Sequence, residues 1–304
     1  MTIQIHLLGR FEAISEGVPL VGIEAHRAQE LLCYLLLYRN RSHARETVAG
    51  VLWGDASTGQ ARKHLRQALW QLQAALGSRN GHDPRWLVVE PEWLRLNSDP
   101  TLVLDVEMLE QAYAPARDTP GETLTLAQAQ ALNLAVELYR GDLLEGWYQD
   151  WCLFERERLQ NIYLAMLQKL VACCEAHQEY EQGIAYGMRI LSVDYAHERA
   201  HRRLMRLHYL RGDRTAALRQ FERCQQALAR ELAVQPARST VLLAEQIRRG
   251  QPLTAQAAAP RAPQPESDEA TLAAVLERLR QVQRALAAAQ QQVAREIQNL
   301  ESLL

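Results

Sequence analysis

The chain has 304 residues, of which 48% are hydrophobic and 23% are charged, a composition that is typical of globular proteins and excludes collagen and wholesale disorder. Its net charge of −2 argues against indiscriminate polyanion binding by the chain as a whole. The longest apolar run, residues 31–38, is far too short to span a bilayer, and the first ten residues lack the pattern of a signal peptide, so we expect a cytoplasmic protein with no membrane partner.

Residues 1–97 show the element order of a winged helix-turn-helix domain, an α+β fold. Alternating apolar and polar residues over 1–24, punctuated by glycines, predict a short antiparallel meander. Helical periodicity then predicts three helices, over residues 27–38, over residues 45–53, and from a cap at Ser57 or Thr58 to Leu76. Two strands over residues 86–89 and 93–97 complete the order as a hairpin.

The third predicted helix has one apolar and one polar face. Six side chains form the apolar stripe that we expect to be buried: Ala61, Leu65, Ala68, Leu69, Leu72 and Leu76. The opposite side carries cationic, amide and aromatic side chains, which suit the phosphates and base edges of a DNA major groove. With flanking cations, the predicted DNA-binding residues are Arg45, Arg62, Lys63, His64, Arg66, Gln67, Trp70, Gln71 and Arg95. A solvated amphipathic helix is the alternative interpretation of this pattern.

Positive charge is concentrated in the same region. Residues 39–66 contain six basic and two acidic residues, a net charge of +4 within a chain that is negative overall. A Trp on the polar side of the helix and the hairpin that follows favour DNA binding. The hairpin tip, Glu90-Pro91-Glu92, is acidic and would be repelled by phosphates, so we expect contact through the hairpin sides, at Arg85 and Arg95.

Residues 98–250 are predicted to be helical throughout, apart from a short strand at 102–105. A comparison of the sequence with itself at an offset of 34 residues aligns 178–184 with 212–218 and places Ile190 on Cys224. A helix–turn–helix unit with this period is typical of tetratricopeptide (TPR) repeats. The sequence therefore predicts an all-α, TPR-like domain over residues 98–250.

Two groups of side chains in this domain have alternative interpretations. We expect three aromatic side chains to pack within the helical domain or between it and the winged helix: Trp147, Tyr148 and Trp151. The alternative is that they line a ligand pocket. His197 and His201 have the i, i+4 spacing of a metal-binding pair, but no further ligand motif accompanies them. We therefore expect exposed helix histidines rather than a metal site.

Nothing in the sequence predicts an enzyme or a cofactor. The five cysteines are odd in number and no two have C-x-x-C spacing, which excludes a disulfide framework and a zinc ribbon. The phosphate-binding motif G-x-x-x-x-G-K-[ST] is also missing from the sequence.

The C-terminal part of the chain is predicted to be a linker followed by one long helix. Residues 251–268 are rich in Pro, Ala and Gln, and residues 269–304 contain neither Gly nor Pro. A 3-4 spacing of apolar residues predicts a coiled-coil seam that includes Leu272, Val275, Leu279, Val282, Leu286, Val293 and Leu300. We expect this helix to form a homodimer; a higher oligomer and intramolecular docking are the alternatives.

The chain resembles SARP-type (antibiotic regulatory protein) transcriptional activators. Residues 49–55 and 61–77 carry the similarity to the OmpR-type winged helix of that family. The similarity to its bacterial transcriptional activator domain is carried by residues 104–106, 139–146, 150–151, 155–158, 219–223 and 231–236. Family members often carry more Arg in the second half of the recognition helix, where this chain has Gln71, Gln73 and Ala74.

The resemblance implies a regulator that binds double-stranded promoter DNA and recruits RNA polymerase. The helical domain would then serve for protein contacts or signal input, and the long C-terminal helix lies outside the resemblance. The alternative function is a TPR-type adaptor or ligand sensor that does not bind DNA.

Overall fold

The computed structural model describes residues 2–76, 86–97 and 102–253. The strands are β1 (Ile3–His6), β2 (Glu12–Ser15), β3 (Val18–Pro19), β4 (His43–Ala44), β5 (Leu87–Val89), β6 (Trp93–Leu96) and β7 (Leu102–Leu104). The helices are α1 (His26–Leu37), α2 (Arg45–Trp53), α3 (Thr58–Leu76), α4 (Asp105–Tyr113), α5 (Leu126–Val136), α6 (Asp150–Ala176), α7 (Tyr180–Val193), α8 (Glu198–Leu210), α9 (Arg214–Glu231) and α10 (Arg238–Arg249). Short 3-10 turns lie at Ala114–Ala116 and Gly121–Thr123. No helix within these ranges combines the length and apolar character needed to cross a membrane.

A four-stranded sheet begins the chain, and one of its strands comes from beyond the winged helix. The order is β3-β2-β1-β7, with β1 antiparallel to β2 and parallel to β7. Ile3 and Ile5 point into the core while Gln4 between them faces outward, because side chains alternate across a strand. The predicted meander and the predicted strand at 102–105 are both present, and they belong to the same sheet.

The three helices of the winged helix-turn-helix pack on one another, and α1 and α2 also contact a second, three-stranded sheet of order β4-β6-β5. All six apolar residues of the predicted stripe on α3 are buried, and they are the buried residues of that helix. The hairpin β5–β6 has the predicted position, with the amide of Glu90 donating to the carbonyl of Trp93 at 2.9 Å. Strand β4 is only two residues long, so the sequence has no alternating pattern there from which the strand could be predicted.

The helices of the second half of the chain stack as antiparallel pairs, α6 with α7 and α8 with α9. The turn of the first pair contains Gln178 with φ 62°, and the turn of the second contains Gly212 with φ 92°. These residues are 34 positions apart, and Ile190 and Cys224, also 34 apart, are both buried. The predicted repeat is therefore present as two helix–turn–helix units of the same geometry.

Polar contacts join the winged helix to the helical region, which comprises α4 to α10 (residues 105–249). The carboxylate of Asp105, at the start of α4, accepts hydrogen bonds from the amides of Leu7 and Leu8 at 2.8 and 2.9 Å. Arg39, which follows α1, donates to Glu110 of α4 at 2.6 Å. Residues Met1–Gln251 accordingly form one compact unit.

One prediction about the histidines is wrong. His201 is fully buried, its Nε2 lies 2.9 Å from the carbonyl of Tyr195, and its Nδ1 lies 2.7 Å from Nε2 of Gln220. His197 is the N-cap of α8 and accepts a hydrogen bond from the amide of Ala200. The i, i+4 spacing therefore reflects a cap and a core residue, and the described residues contain no cluster of side chains suited to a metal ion.

The predicted C-terminal helix over 269–304, with its seam residues, lies outside the described residues. The same holds for most of the predicted linker and for Arg85.

Candidate nucleic-acid interface

The outward side of α3 presents the residues that the sequence singles out for DNA. Lys63, Arg66, Gln67 and Trp70 are all exposed, and Trp70 has 69% of its surface accessible to solvent. They lie opposite the buried stripe because an α-helix repeats every 3.6 residues. One turn after another of α3 therefore carries a polar or aromatic side chain into solvent.

The basic residues of this region differ in what they contact. Among the described residues, neither Lys63 nor Arg66 has an ion pair, so their full charge is available to a phosphate. Arg62 is exposed but lies 2.9 Å from Glu46 of α2. Arg39 belongs to the basic region of the sequence, but its guanidinium forms ion pairs with Glu107 and Glu110 of α4.

Three of the nine predicted residues are partly buried and make contacts within the winged helix. The ring of His64 meets Trp53 edge to face, with centroids 6.0 Å apart. Arg45 donates to the backbone carbonyl of Glu90 at 3.2 Å, which holds the start of α2 against the hairpin. Gln71 flanks the exposed face and is half-buried. These side chains shape the surface as well as bordering it.

The hairpin brings a second exposed surface beside the helices. Arg95 and Trp93 occupy alternate positions of β6 and are both exposed, Trp93 by 47%. The hairpin tip is exposed too, at Glu90, Pro91 and Glu92. The two carboxylates of the tip therefore face solvent. Trp93 is a candidate contact that the sequence analysis did not name; its i−2 relation to Arg95 in a strand is the signal that places it on the same face.

The helices below this surface are held by buried polar groups. The carboxylate of Glu30 in α1 accepts from the indole N–H of Trp53 at 3.0 Å and from the side-chain amide of Gln149 at 2.8 Å. His43 contacts the carbonyl of Tyr38 at 3.0 Å, and burial lowers its pKa. The neutral imidazole therefore supports the chain between α1 and α2 at neutral pH.

Two aromatic residues of the predicted cluster join the helical region to the winged helix. Trp147 packs edge to face against His26 with centroids 4.8 Å apart, and Trp151 packs against Tyr34 at 5.7 Å. Both partners belong to α1. The prediction that the cluster packs the helical domain against the winged helix is confirmed for these two residues, whereas Tyr148 is 78% exposed.

Comparison with known proteins agrees with this architecture. Residues 104–248 match the family described as the bacterial transcriptional activator domain. The chain carries this domain, and the resemblance to SARP-type regulators is confirmed.

Proteins similar to this chain include the transcriptional regulatory protein MoaR1 of Mycobacterium tuberculosis. It is 23% identical over 258 residues, which are 83% of this chain and 81% of MoaR1. MoaR1 of Mycobacterium bovis matches with the same identity and the same coverage. The family is one of transcriptional regulators and not a class of enzymes.

A solved structure shares the fold. Mycobacterium tuberculosis EmbR, determined in complex with a low affinity phosphopeptide, matches with a TM-score of 0.63 at 22% sequence identity. The match covers 83% of this chain but 66% of the EmbR chain, just under two thirds of its length.

Proposed function

We propose that this regulator binds double-stranded promoter DNA through the exposed face of α3 and activates transcription through contact with RNA polymerase. The observation that carries the proposal is the face itself. Lys63, Arg66, Gln67 and Trp70 are exposed together, with no ion pair to either cation among the described residues, on a helix whose opposite side is fully buried.

Each side chain of this face has chemistry that suits a major groove. Lys63 and Arg66 supply charge for phosphates, and Arg also reaches the acceptor edge of guanine. The amide of Gln67 matches the donor–acceptor edge of adenine, and Trp70 offers an apolar surface to a sugar or a thymine methyl group. Arg62 and Arg95 would add phosphate contacts at the borders, and Arg45, His64 and Gln71 would support them.

The helical region has a different proposed role. Residues 98–250 contain 18 basic and 21 acidic residues, so the region has no excess of positive charge with which to follow a phosphate backbone. Stacked helix pairs offer extended surfaces for protein contacts. We assign the winged helix to residues 1–97 and the contacts with RNA polymerase to the domain over 98–250.

The C-terminal residues 269–304 are proposed to form a homodimeric coiled coil. The support is the spacing of apolar residues in the sequence, and a dimer suits a regulator that binds repeated half-sites.

Selection of duplexes from a random DNA pool by the full-length protein tests DNA binding directly. We expect enrichment of one sequence and weaker retention of the pool as salt is raised. A protein that retains no duplex at low salt would contradict the proposal.

The adaptor function is favoured by one observation, the exposed acidic tip at Glu90 and Glu92. A winged helix that has become a protein-binding module has no need of a basic wing. The same selection separates the two functions, because an adaptor would enrich no sequence.

A further inference from the structure

A groove of about 730 Å³ lies where the helical region meets the winged helix. One wall is the C-terminal half of α2, including Gly50 and Val51, and the other is the segment from Gly146 to Trp151 that leads into α6. The volume falls within the range of about 300–1,000 Å³ that is usual for small-molecule sites. Gly50 and Gly146 have open space where a Cβ would stand, so bare backbone forms part of each wall.

Aromatic side chains dominate the second wall. Trp147 and Trp151 line it beside Tyr148, whose ring is 78% exposed. Such rings attract cations through the negative potential of their faces.

Two residues that line the groove each have a buried polar atom without a hydrogen-bond partner. Trp151 is 7% exposed, and its indole Nε1–H has no acceptor. The side-chain Oε1 of Gln149 has no donor, while its Nε2 is bound to Glu30. Both atoms are buried, so neither is offered to a molecule in the groove, and recognition there rests on the aromatic rings and the charges.

The charges of the groove select the type of molecule. Asp55 and Asp150 both line it, both are exposed, and neither has an ion pair among the described residues. Helix α2 ends at the groove, and its last turn holds no basic residue, so its negative C-terminal end is uncompensated. The positive N-terminal end of α6 also lies here, but Asp150 is its first residue and offsets it.

We infer that this groove binds a small organic cation with an aromatic-sized body. Its ammonium group lies between the carboxylates of Asp55 and Asp150. The apolar body of the ligand lies against Trp147 and Tyr148. The site contacts α2 and the segment before α6 at once, so the ligand bridges the winged helix and the helical region.

Isothermal titration calorimetry of the full chain with tyramine tests this site. Tyramine has an ammonium group, an aromatic body and a phenolic oxygen. Tyrosol has the same skeleton with a hydroxyl in place of the ammonium group. We expect saturable binding of one tyramine per chain and affinity for tyrosol lower by about tenfold or more, since the carboxylates act only on the charged ligand. No saturable binding of tyramine, or equal binding of tyrosol, would overturn the inference.

Paired variants locate the site. D55N/D150N should weaken tyramine binding by about fivefold or more, whereas E222Q/E231Q, which removes two exposed carboxylates of α9, should leave it unchanged. Gly50→Met should block the groove, and Gly59→Met, at an equally open helix glycine outside it, should not. Circular dichroism and thermal unfolding confirm that each variant is folded. Unchanged affinity in folded D55N/D150N would contradict the assignment. DNA takes no part in these titrations, so their outcome is independent of the proposed DNA binding.

Discussion

At the scale of single residues, Asp105 links the winged helix to the helical region through buried hydrogen bonds. Its carboxylate receives the amides of Leu7, Leu8 and Val106 at 2.7 to 3.0 Å. Burial raises its pKa, while the three backbone hydrogen bonds and the nearby His6 act in the opposite direction. The side chain therefore stabilises the fold through hydrogen bonds that must outweigh the cost of burying a charge.

Removal of this carboxylate should destabilise the protein strongly. We expect Asp105→Ala to lower the free energy of unfolding by about 3 kcal/mol or more, because three buried amides lose their acceptor. Asp105→Asn, which keeps one acceptor oxygen, should lose less. Denaturant unfolding measures both, with Glu222→Ala on the surface of α9 as the control, expected within about 0.5 kcal/mol of the wild type. Equal stability of Asp105→Ala and the wild type would show that these hydrogen bonds are not important.

His201 should make stability depend on pH near neutrality. Burial lowers its pKa, so the folded state binds fewer protons there than the unfolded state, in which the histidine has its ordinary pKa of 6.5. Stability is then fully present above that value and falls as the pH decreases through it. From about pH 7.5 to about pH 6, His201→Gln should show a smaller loss of stability than the wild type, with His43 and His208 supplying the remainder. Identical pH slopes of the two proteins, measured by denaturant unfolding, would refute this role.

At the scale of elements, close backbone approach fixes how the helices stack. A Cβ on Gly121 would lie 2.5 Å from the carbonyl oxygen of Lys169 in α6, so this 3-10 turn can sit against α6 only with glycine. We expect Gly121→Ala to destabilise the protein by about 1–3 kcal/mol. Gly59→Ala, at an open position of α3, should instead stabilise it by about 0.5–1 kcal/mol. Thermal unfolding of the pair checks the prediction, and an unchanged midpoint in Gly121→Ala would contradict it.

The elements that the sequence predicts well are those with local signals. The faces of α3 follow from one helical period, and the turns at Gln178 and Gly212 follow from a repeat of 34 residues. Long-range pairing is what the sequence leaves out. The ion pair of Arg39 with Glu110 joins residues 71 positions apart, and Asp105 lies 98 and 97 positions from Leu7 and Leu8, whose amides it binds. The burial of His201 depends on Gln220 of the next helix, which the spacing of two histidines does not reveal.

At the scale of the whole molecule, the proposed coiled coil makes oligomeric state a separate test. We expect the full-length chain to be a dimer at about tens of micromolar, and a chain ended after Gln251, the limit of the compact unit, to be a monomer. Sedimentation equilibrium compares the two. A monomeric full-length protein would contradict the coiled coil, and a dimeric shortened chain would place the interface elsewhere.

DNA affinity should follow from the same assembly. Two linked winged helices bind repeated half-sites with a higher effective concentration than one. We therefore expect the shortened chain to bind a selected DNA site more weakly than the full-length chain.

The most direct test of the central claim is the salt dependence of DNA binding by charge variants of α3. The association constant for the selected duplex is measured over a series of salt concentrations for the wild type, for K63A/R66A and for R219A/R230A, which removes two exposed charges from α9. The slope of log K against log salt should fall by about 2 in K63A/R66A, since each phosphate contact contributes about 0.9, and should stay unchanged in R219A/R230A. A folded K63A/R66A protein with the wild-type slope would contradict the assignment of the exposed face of α3 to DNA.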